Sequence, residues 1–169
     1  MALTIRPAAP ADVPQILAFI RELALYEREP EAALATEADL LRDGFPTHPA
    51  QPARFLCLLA EWDGHPAGFA LFFFTYSTWR GHAGIYLEDL FVRPALRGKG
   101  IGKALLASVA RIAVAEGCPR LEWAVLDWNT PAIDFYRSVG ATPMSEWTTM
   151  RLTGEALPAL AQSSPPLSP

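Results

Sequence analysis

Two groups of residues near the middle of this chain have the types and spacing to do chemistry. Glu88 and Asp89 are adjacent carboxylates set inside an otherwise apolar run from Tyr86 to Val92. A few residues on, Arg97, Gly98, Lys99, Gly100, Ile101 and Gly102 make a basic, glycine-rich turn. Pro94 closes the apolar run between them, because proline cannot donate to a central ladder. After the turn, Ile101, Leu105, Ser108, Val109 and Ile112 recur at three- and four-residue spacing, one apolar face of a helix. Strand, glycine turn and helix N-terminus in that order hold anions. The first helical turn has N–H groups without intrahelical partners, the helix dipole adds partial positive charge there, and glycine removes the Cβ that would keep a phosphate away. Arg97 and Lys99 add whole charges. The ligand implied is phosphorylated, and a pyrophosphate is expected.

Two common phosphate motifs do not match. A P-loop needs G-x-x-x-x-G-K-[ST], and no such gap precedes Lys99 or Lys103. A dinucleotide fingerprint needs G-x-G-x-x-G after a first strand, whereas Lys103 occupies the third glycine position and the turn lies past mid-chain. Arg97, Gly100 and Gly102 do fit R-x-x-G-x-G, which resembles the acetyl-CoA pyrophosphate loop of the GNAT acetyltransferases. Taken alone, the stretch also reads as a glycine turn with two solvated cations.

The elements that must position these groups follow from pattern. Leu3 to Arg6 is a first strand ended by Pro7, and Asp12 can cap a helix carrying Pro14 in its first turn and running to about Tyr26. Thr36 caps a second short helix through Leu41. Arg54–Trp62 and Pro66–Tyr76 are strands joined at Asp63-Gly64, a hairpin signal. Gly84–Val92 is the next strand, and Tyr76 and Trp79 are candidates to line a channel. Past the long helix and Gly117, Leu121–Leu126 reads as a strand parallel to the one before the helix. Asn129 or Thr130 caps a helix with Pro131 in its first turn, and Trp147–Leu152 reads as a last strand.

Composition bounds the rest. The 169 residues are 51% hydrophobic and 19% charged, which suits a packed core and argues against disorder. A net charge of -4 gives no global case for nucleic acid. His48, His65 and His82 have no ligand spacing, so no metal is expected, and Cys57 and Cys118 read as buried free thiols of a reducing compartment. No apolar run is long enough to span a bilayer, and MALTIRPAAP has no basic-then-apolar leader pattern, so a cytoplasmic protein without membrane partners is expected. From Tyr26 to Asp43 acids outnumber bases. That run is either a solvated surface or a rim that steers a cationic substrate.

The resemblance becomes specific when three motifs are taken together. Tyr86-Leu87-Glu88-Asp89, Arg97 to Gly102, and Trp128-Asn129-x-Pro131-x-Ile133-x-Phe135-Tyr136 look like the spermidine/spermine N-acetyltransferases, or diamine acetyltransferases, within the GNAT superfamily. Glu22-Leu23-Ala24-x-Tyr26-Glu27, Asp43-Gly44-Phe45 and Phe74-Thr75-Tyr76 match as well. The likeness covers about Ile5 to Leu152 and departs in the proline-rich tail and the Arg28–Ala35 loop.

That resemblance implies a mixed α/β (α+β) fold: a mostly antiparallel central sheet of about six to seven strands, flanked by helices, with its fourth and fifth strands parallel and splayed at the cofactor. Length implies one domain, over 1–154, and composition a Pro/Ser-rich tail, 155–169, without fixed structure. The resemblance implies an N-acetyltransferase that moves acetyl from acetyl-CoA to a primary amine of a small cation (polyamine, diamine or thialysine-like) by direct attack, in a homodimer. The alternatives are another acceptor, such as a protein N-terminus, a lysine or an antibiotic amine, and a non-catalytic acyl-CoA binding module.

The roles are carried over by position. Leu90, Phe91, Val92, Arg97 to Lys103 (including Gly98, Lys99, Gly100, Ile101 and Gly102) and Asn129, Thr130, Pro131 and Ala132 would hold acetyl-CoA. Tyr26, Glu27, Glu88, Glu122, Trp123 and Ala124 would line the amine, with Glu27 and Glu122 suited to a second ammonium. Amines arrive protonated, so a carboxylate is wanted as base. In a regular strand Glu88 and Asp89 point to opposite faces; the family gives the base to Glu88, and Asp89 is expected to be structural, bonded to backbone N–H groups. Tyr136, a phenol protonated at neutral pH, would supply the thiolate's proton.

Overall fold

The computed structural model describes residues 1–48 and 50–165. They fall into two units, Met1–Ala124 and Val125–Pro169, taken here in turn.

In the first unit β1 (Leu3–Pro7), β2 (Leu56–Trp62), β3 (His65–Ser77), β4 (His82–Val92) and β5 (Leu121–Glu122) lie in the order β1-β2-β3-β4-β5. The first four are antiparallel neighbours; β5 is parallel to β4. Sequence pattern places these strands well because their alternation is set by one buried face and their turns by local chemistry. Asp63 and Gly64 both adopt positive φ, 49° and 78°, as a two-residue type I′ hairpin requires.

Helix α1 (Val13–Tyr26) buries Val13, Ile16, Leu17 and Phe19 against one sheet face. There Cys57, Leu59, Phe69, Leu71 and Phe91 join the same cluster, and Phe19 stacks on Phe69 with centroids 5.6 Å apart. Each such side chain contributes about 1.5–3 kcal/mol of burial. Asp12 does not cap α1 with its side chain. Its carboxylate accepts from Arg6 at 2.7 and 2.9 Å and from the Ala9 N–H at 2.8 Å, closing a preceding 3-10 turn instead. Helix α2 (Glu37–Gly44) begins as expected: Thr36 accepts from the Asp39 N–H, and Asp39 accepts from the Thr36 N–H. Helix α3 (Ile101–Ala115) buries Ile101, Leu105, Leu106, Val109 and Ala113.

Two strand expectations are corrected. The parallel strand after α3 is two residues long rather than reaching Leu126, and Trp147–Leu152 forms no strand, so the described sheet has five strands. β-propensity only signals fitness for a pleated surface; a strand also needs a ladder partner, and Trp147 and Met150 stand 68% and 87% exposed. The second unit contains α4 (Thr130–Ser138) and α5 (Ala156–Gln162). The latter lies in the tail expected to lack structure, and none of its residues is buried. Proline and serine concentrate after Gln162, whereas ALPALAQ is helix-forming with its one proline in the first turn.

Candidate functional site: a bulged strand, a carboxylate cluster and a glycine turn

β4 carries the site, and its register against β3 decides how. Leu71 stands opposite Asp89 and Phe72 opposite Leu87, so Glu88 is an extra residue without a partner of its own. This is a β-bulge, which re-aims side chains locally. Tyr86 opposes Phe73 on the α1 side of the sheet, with ring centroids 5.4 Å apart. Ordinary alternation from Tyr86 would send Asp89 to the other side. The extra residue instead brings Asp89 level with Leu71 and Phe91, on the α1 side.

The regular alternation on which the opposite-face expectation for Glu88 and Asp89 rested is therefore absent here. Glu88 is exposed and Asp89 half-buried. Burial, then the charges of Glu88 and Glu27, push the Asp89 carboxyl up to about 7. Among the described residues no hydrogen bond or ion pair to the Asp89 side chain is present, so it is not the backbone-bonded structural group expected from sequence. Burial also raises Glu27, the residue that closes the C-terminus of α1. Three carboxylates from two elements thus converge. Across the sheet Cys57, opposite Leu71, is a free thiol pushed up to about 12 by burial and then by Asp89 and Asp12.

The α1 end is fixed from β4. Arg93 donates to both Glu22 carboxylate oxygens at 2.8–3.2 Å and to the Pro66 carbonyl at 2.9 Å. Of the acidic run, Glu27 reaches the carboxylate cluster by electrostatic contact. Asp39 and Asp43 are bound by Arg42 at 2.8 and 2.6 Å on the α2 surface, with Arg54 also 3.2 Å from Asp43. Tyr76 and Trp79 stand at the exposed β3–β4 end.

β5 joins at one point. The Ile85 N–H donates to the Arg120 carbonyl at 3.1 Å, and Ile85↔Leu121 and Tyr86↔Glu122 are the paired residues. Beyond Tyr86 that ladder stops, so Leu90, Phe91 and Val92 have a β3 partner and no β5 partner. The parallel β4–β5 pairing that the family likeness implied is present. Glu122 lies with its Oε2 3.0 Å from Arg120 Nε, so its charge is already partly met. Tyr86 is raised by burial, then by Glu88 and Glu122, and is opposed by a backbone hydrogen bond from Ala124. Trp123 is half-buried.

The glycine turn has the form the sequence suggests. Gly98 and Gly100 adopt φ of 78° and 81°, and Gly100 is the N-cap of α3. The first intrahelical bond runs from the Ala104 N–H to the Gly100 carbonyl at 3.0 Å, which leaves the Ile101, Gly102 and Lys103 N–H groups to meet a ligand. A Cβ at Gly102 would meet only Val92 Cγ2 at 3.7 Å, ordinary contact, so the protein itself does not require glycine there. Lys99 Nζ sits 5.2 Å over the Trp62 ring. Arg97 donates from Nε to the Val92 carbonyl at 3.1 Å.

In the second unit Asn129 is buried and precedes α4, with its carbonyl accepting from the Ala132 and Ile133 N–H groups at 3.0 Å. Thr130 and Pro131 are exposed, Ala132 is half-buried, and Tyr136 is half-buried with its ring 5.2 Å from Phe135. Among the described residues no group of three or more His, Cys, Asp or Glu side chains could hold a metal ion, and no helix is long and apolar enough to cross a membrane. Sequence reasoning missed the placement of Asp89, because the bulge that sets it is a relation between two strands.

Comparison with known proteins finds a family and a shared fold. Residues 17–141 match the acetyltransferase (GNAT) family. The chain is 41% identical over 170 residues to thialysine N-epsilon-acetyltransferase of Sus scrofa, covering 95% of this chain and 98% of that one. It is 38% identical over 162 residues to spermidine/spermine N(1)-acetyltransferase-like protein 1 of Homo sapiens, covering 90% of this chain and 23% of that one. Among solved structures, an integron cassette protein from the mobile metagenome of V. cholerae aligns with TM-score 0.77 and 29% identity, over 96% of this chain and 99% of that one.

Proposed function

This chain belongs to the acetyltransferase (GNAT) family, and from that premise we propose that it moves the acetyl group of acetyl-CoA to a primary amine of a small cation of the thialysine, diamine or polyamine type. The observation that carries the acceptor class is the cluster of Glu27, Glu88 and Asp89, two of them raised by burial. Such a cluster is costly in isolation and is offset when an ammonium enters. Relatives that match over nearly the whole chain are named for thialysine acetylation, which supports the same class.

The residues fit acetyl-CoA on the structure's own terms. The N–H groups of Ile101, Gly102 and Lys103 in the first turn of α3 have no intrahelical partner, Gly98 and Gly100 supply left-handed backbone, and no Cβ at Gly102 keeps a ligand away. Arg97 to Lys103 would hold the phosphates, with Asn129 to Ala132 also on the cofactor. Bound there, acetyl-CoA supplies its acetyl group as a thioester.

The chain's groups then divide the remaining work. The Glu88–Asp89 pair accepts the ammonium proton, Glu88 in the family's position for the base, directly or through water. Asp89, held near 7, has the proton affinity suited to such a role at neutral pH. Glu27 balances the second positive charge, with Glu122, already near Arg120, a weaker partner. The unpaired edge of β4 at Leu90 to Val92 offers backbone N–H groups to polarise a carbonyl. The Tyr136 O–H holds the proton a leaving thiolate takes up. Attack is direct, with no acylated residue, and burial keeps the Cys57 thiol out of such a role. We place the protein in the cytoplasm, where unpaired thiols such as Cys57 and Cys118 persist, and as a homodimer.

Thiol release from acetyl-CoA, measured with thialysine, spermidine, spermine, putrescine, lysine and an N-terminal peptide, tests this reading. Turnover of thialysine or a polyamine, with a large loss in Tyr136→Phe, is expected. Coenzyme binding without turnover of any amine would refute it.

A further inference from the structure

Arg97 does more in this structure than project a charge from the glycine turn. Its Cζ lies 4.2 Å over the Tyr26 ring and 6.0 Å over the Phe91 ring, while Nε donates to the Val92 carbonyl. Tyr26 is the last residue of α1, next to Glu27. Phe91 lies two residues beyond Asp89 on β4, on the same sheet face. One guanidinium therefore touches both chain segments that carry the carboxylate cluster. Glu27 and Asp89 repel each other, so something must hold these segments at their spacing. The segment behind Glu27 is also under backbone strain: Arg28 adopts φ of 69°, a region costly for a residue with a Cβ.

The remaining donors of Arg97 complete the argument. Aromatic faces take a guanidinium through its cationic centre, while its N–H groups suit paired oxyanions. Nη1 and Nη2 make no hydrogen bond among the described residues, and the side chain is exposed. A phosphate at the turn would use those donors without displacing either ring. It would order the guanidinium, and with it Tyr26 and Glu27.

We propose that Arg97, stacked between Tyr26 and Phe91, is a positioning residue that couples the two ligand sites, so that an anion at the glycine turn tightens binding of an amine at the carboxylate cluster. The proposal rests on the acetyltransferase reading given above. The entropy of ordering this exposed side chain and the strained segment is lost once, on binding of the first ligand, and the coupling is reciprocal. An exposed contact of this kind is worth about 2- to 5-fold in an equilibrium constant, which sets the expected size.

Isothermal titration of thialysine into the full chain, with and without saturating coenzyme A, measures the coupling directly. Wild type is expected to bind thialysine about 2- to 5-fold more tightly with coenzyme A present. Tyr26→Phe keeps the ring and should keep the ratio. Tyr26→Leu should bring it to about 1 and raise the thialysine KM more than it lowers kcat. Arg97→Lys, which keeps the charge and loses the planar fork, should still bind coenzyme A but lose the ratio. A wild-type ratio of 1, a wild-type ratio retained in Tyr26→Leu, or equal loss in Tyr26→Phe and Tyr26→Leu would overturn the coupling. A wild type that binds no coenzyme A at all would overturn the acetyltransferase reading and the coupling with it, and shows itself in the first titration.

Discussion

Replacing Asp89 by asparagine should make the protein more stable and nearly inactive, and the stability gain should depend on pH. Its carboxyl is pushed from an ordinary 3.8 up to about 7, first by burial and then by Glu88 and Glu27. The folded state thus holds this proton more tightly than the unfolded chain does, so the contribution of Asp89 to stability is complete below about 4 and is lost as pH climbs to about 7. The gap corresponds to roughly 4 kcal/mol against folding at pH 8. Asparagine removes the charge but buries an amide without partners, which costs roughly 1–3 kcal/mol, so a net gain of about 2 kcal/mol is expected. For a chain of this size that raises Tm by about 4–8 °C at pH 8, with the difference shrinking towards zero at pH 5. Thermal unfolding of wild type and Asp89→Asn at the two pH values gives the comparison, and thiol release at pH 7.5 should fall about 10²- to 10⁴-fold. Equal differences at pH 5 and pH 8, or a variant less stable than wild type at pH 8, would show that Asp89 is not a desolvated, unpaired carboxyl. Full activity in the variant would remove it from proton transfer.

Three other outcomes follow from the same geometry. Gly102→Ala meets only Val92 Cγ2 at 3.7 Å inside α3, so Tm should hold or rise, by up to about 1 kcal/mol of helix propensity, while coenzyme A affinity measured by calorimetry should fall about 10-fold; unchanged affinity would mean that no phosphate approaches there. Tyr136→Phe should lower kcat by about 10²-fold or more with little change in KM for acetyl-CoA, read from initial rates at saturating amine. Asp12→Ala removes both hydrogen bonds from Arg6 and the one from Ala9; because Arg6 holds the Asp12 carboxyl below its usual range, denaturant unfolding at pH 7 should show a loss of about 1–2 kcal/mol that fades as pH drops through the acid range.

Much of this molecule follows from residues that act locally. The Asp63-Gly64 hairpin, the Thr36–Asp39 capping box and the Gly100 helix start depend on neighbours within a few positions, where backbone sterics and short-range hydrogen bonds decide the outcome. The same holds for the order strand, glycine turn, helix, so the anion cradle and the neighbouring acids were legible before any fold was known. Fold class followed from the family resemblance that those motifs carry. The extents of the last strands did not: Leu121–Glu122 pairs and Trp147–Leu152 does not, because a ladder needs a partner that strand propensity alone cannot supply.

The carboxylate site shows where sequence alone runs out. Side-chain alternation sends Glu88 and Asp89 apart, and that rule holds only while each residue faces one partner. The slip at Leu71–Phe72 against Leu87–Asp89 is a property of two strands at once, and it turns Asp89 towards α1, Glu27 and the core. Burial there, rather than the identity of the residue, raises its carboxyl. Likewise Arg97 reads as a free cation in the sequence, and only the fold lays it over Tyr26, which is 71 residues away in the chain. The sequence by itself determined which groups stand at the proposed phosphate and amine sites, since those are chemical types at local spacing; tertiary structure decided which of them meet and with what proton affinity, since distance and desolvation arise only when remote segments pack.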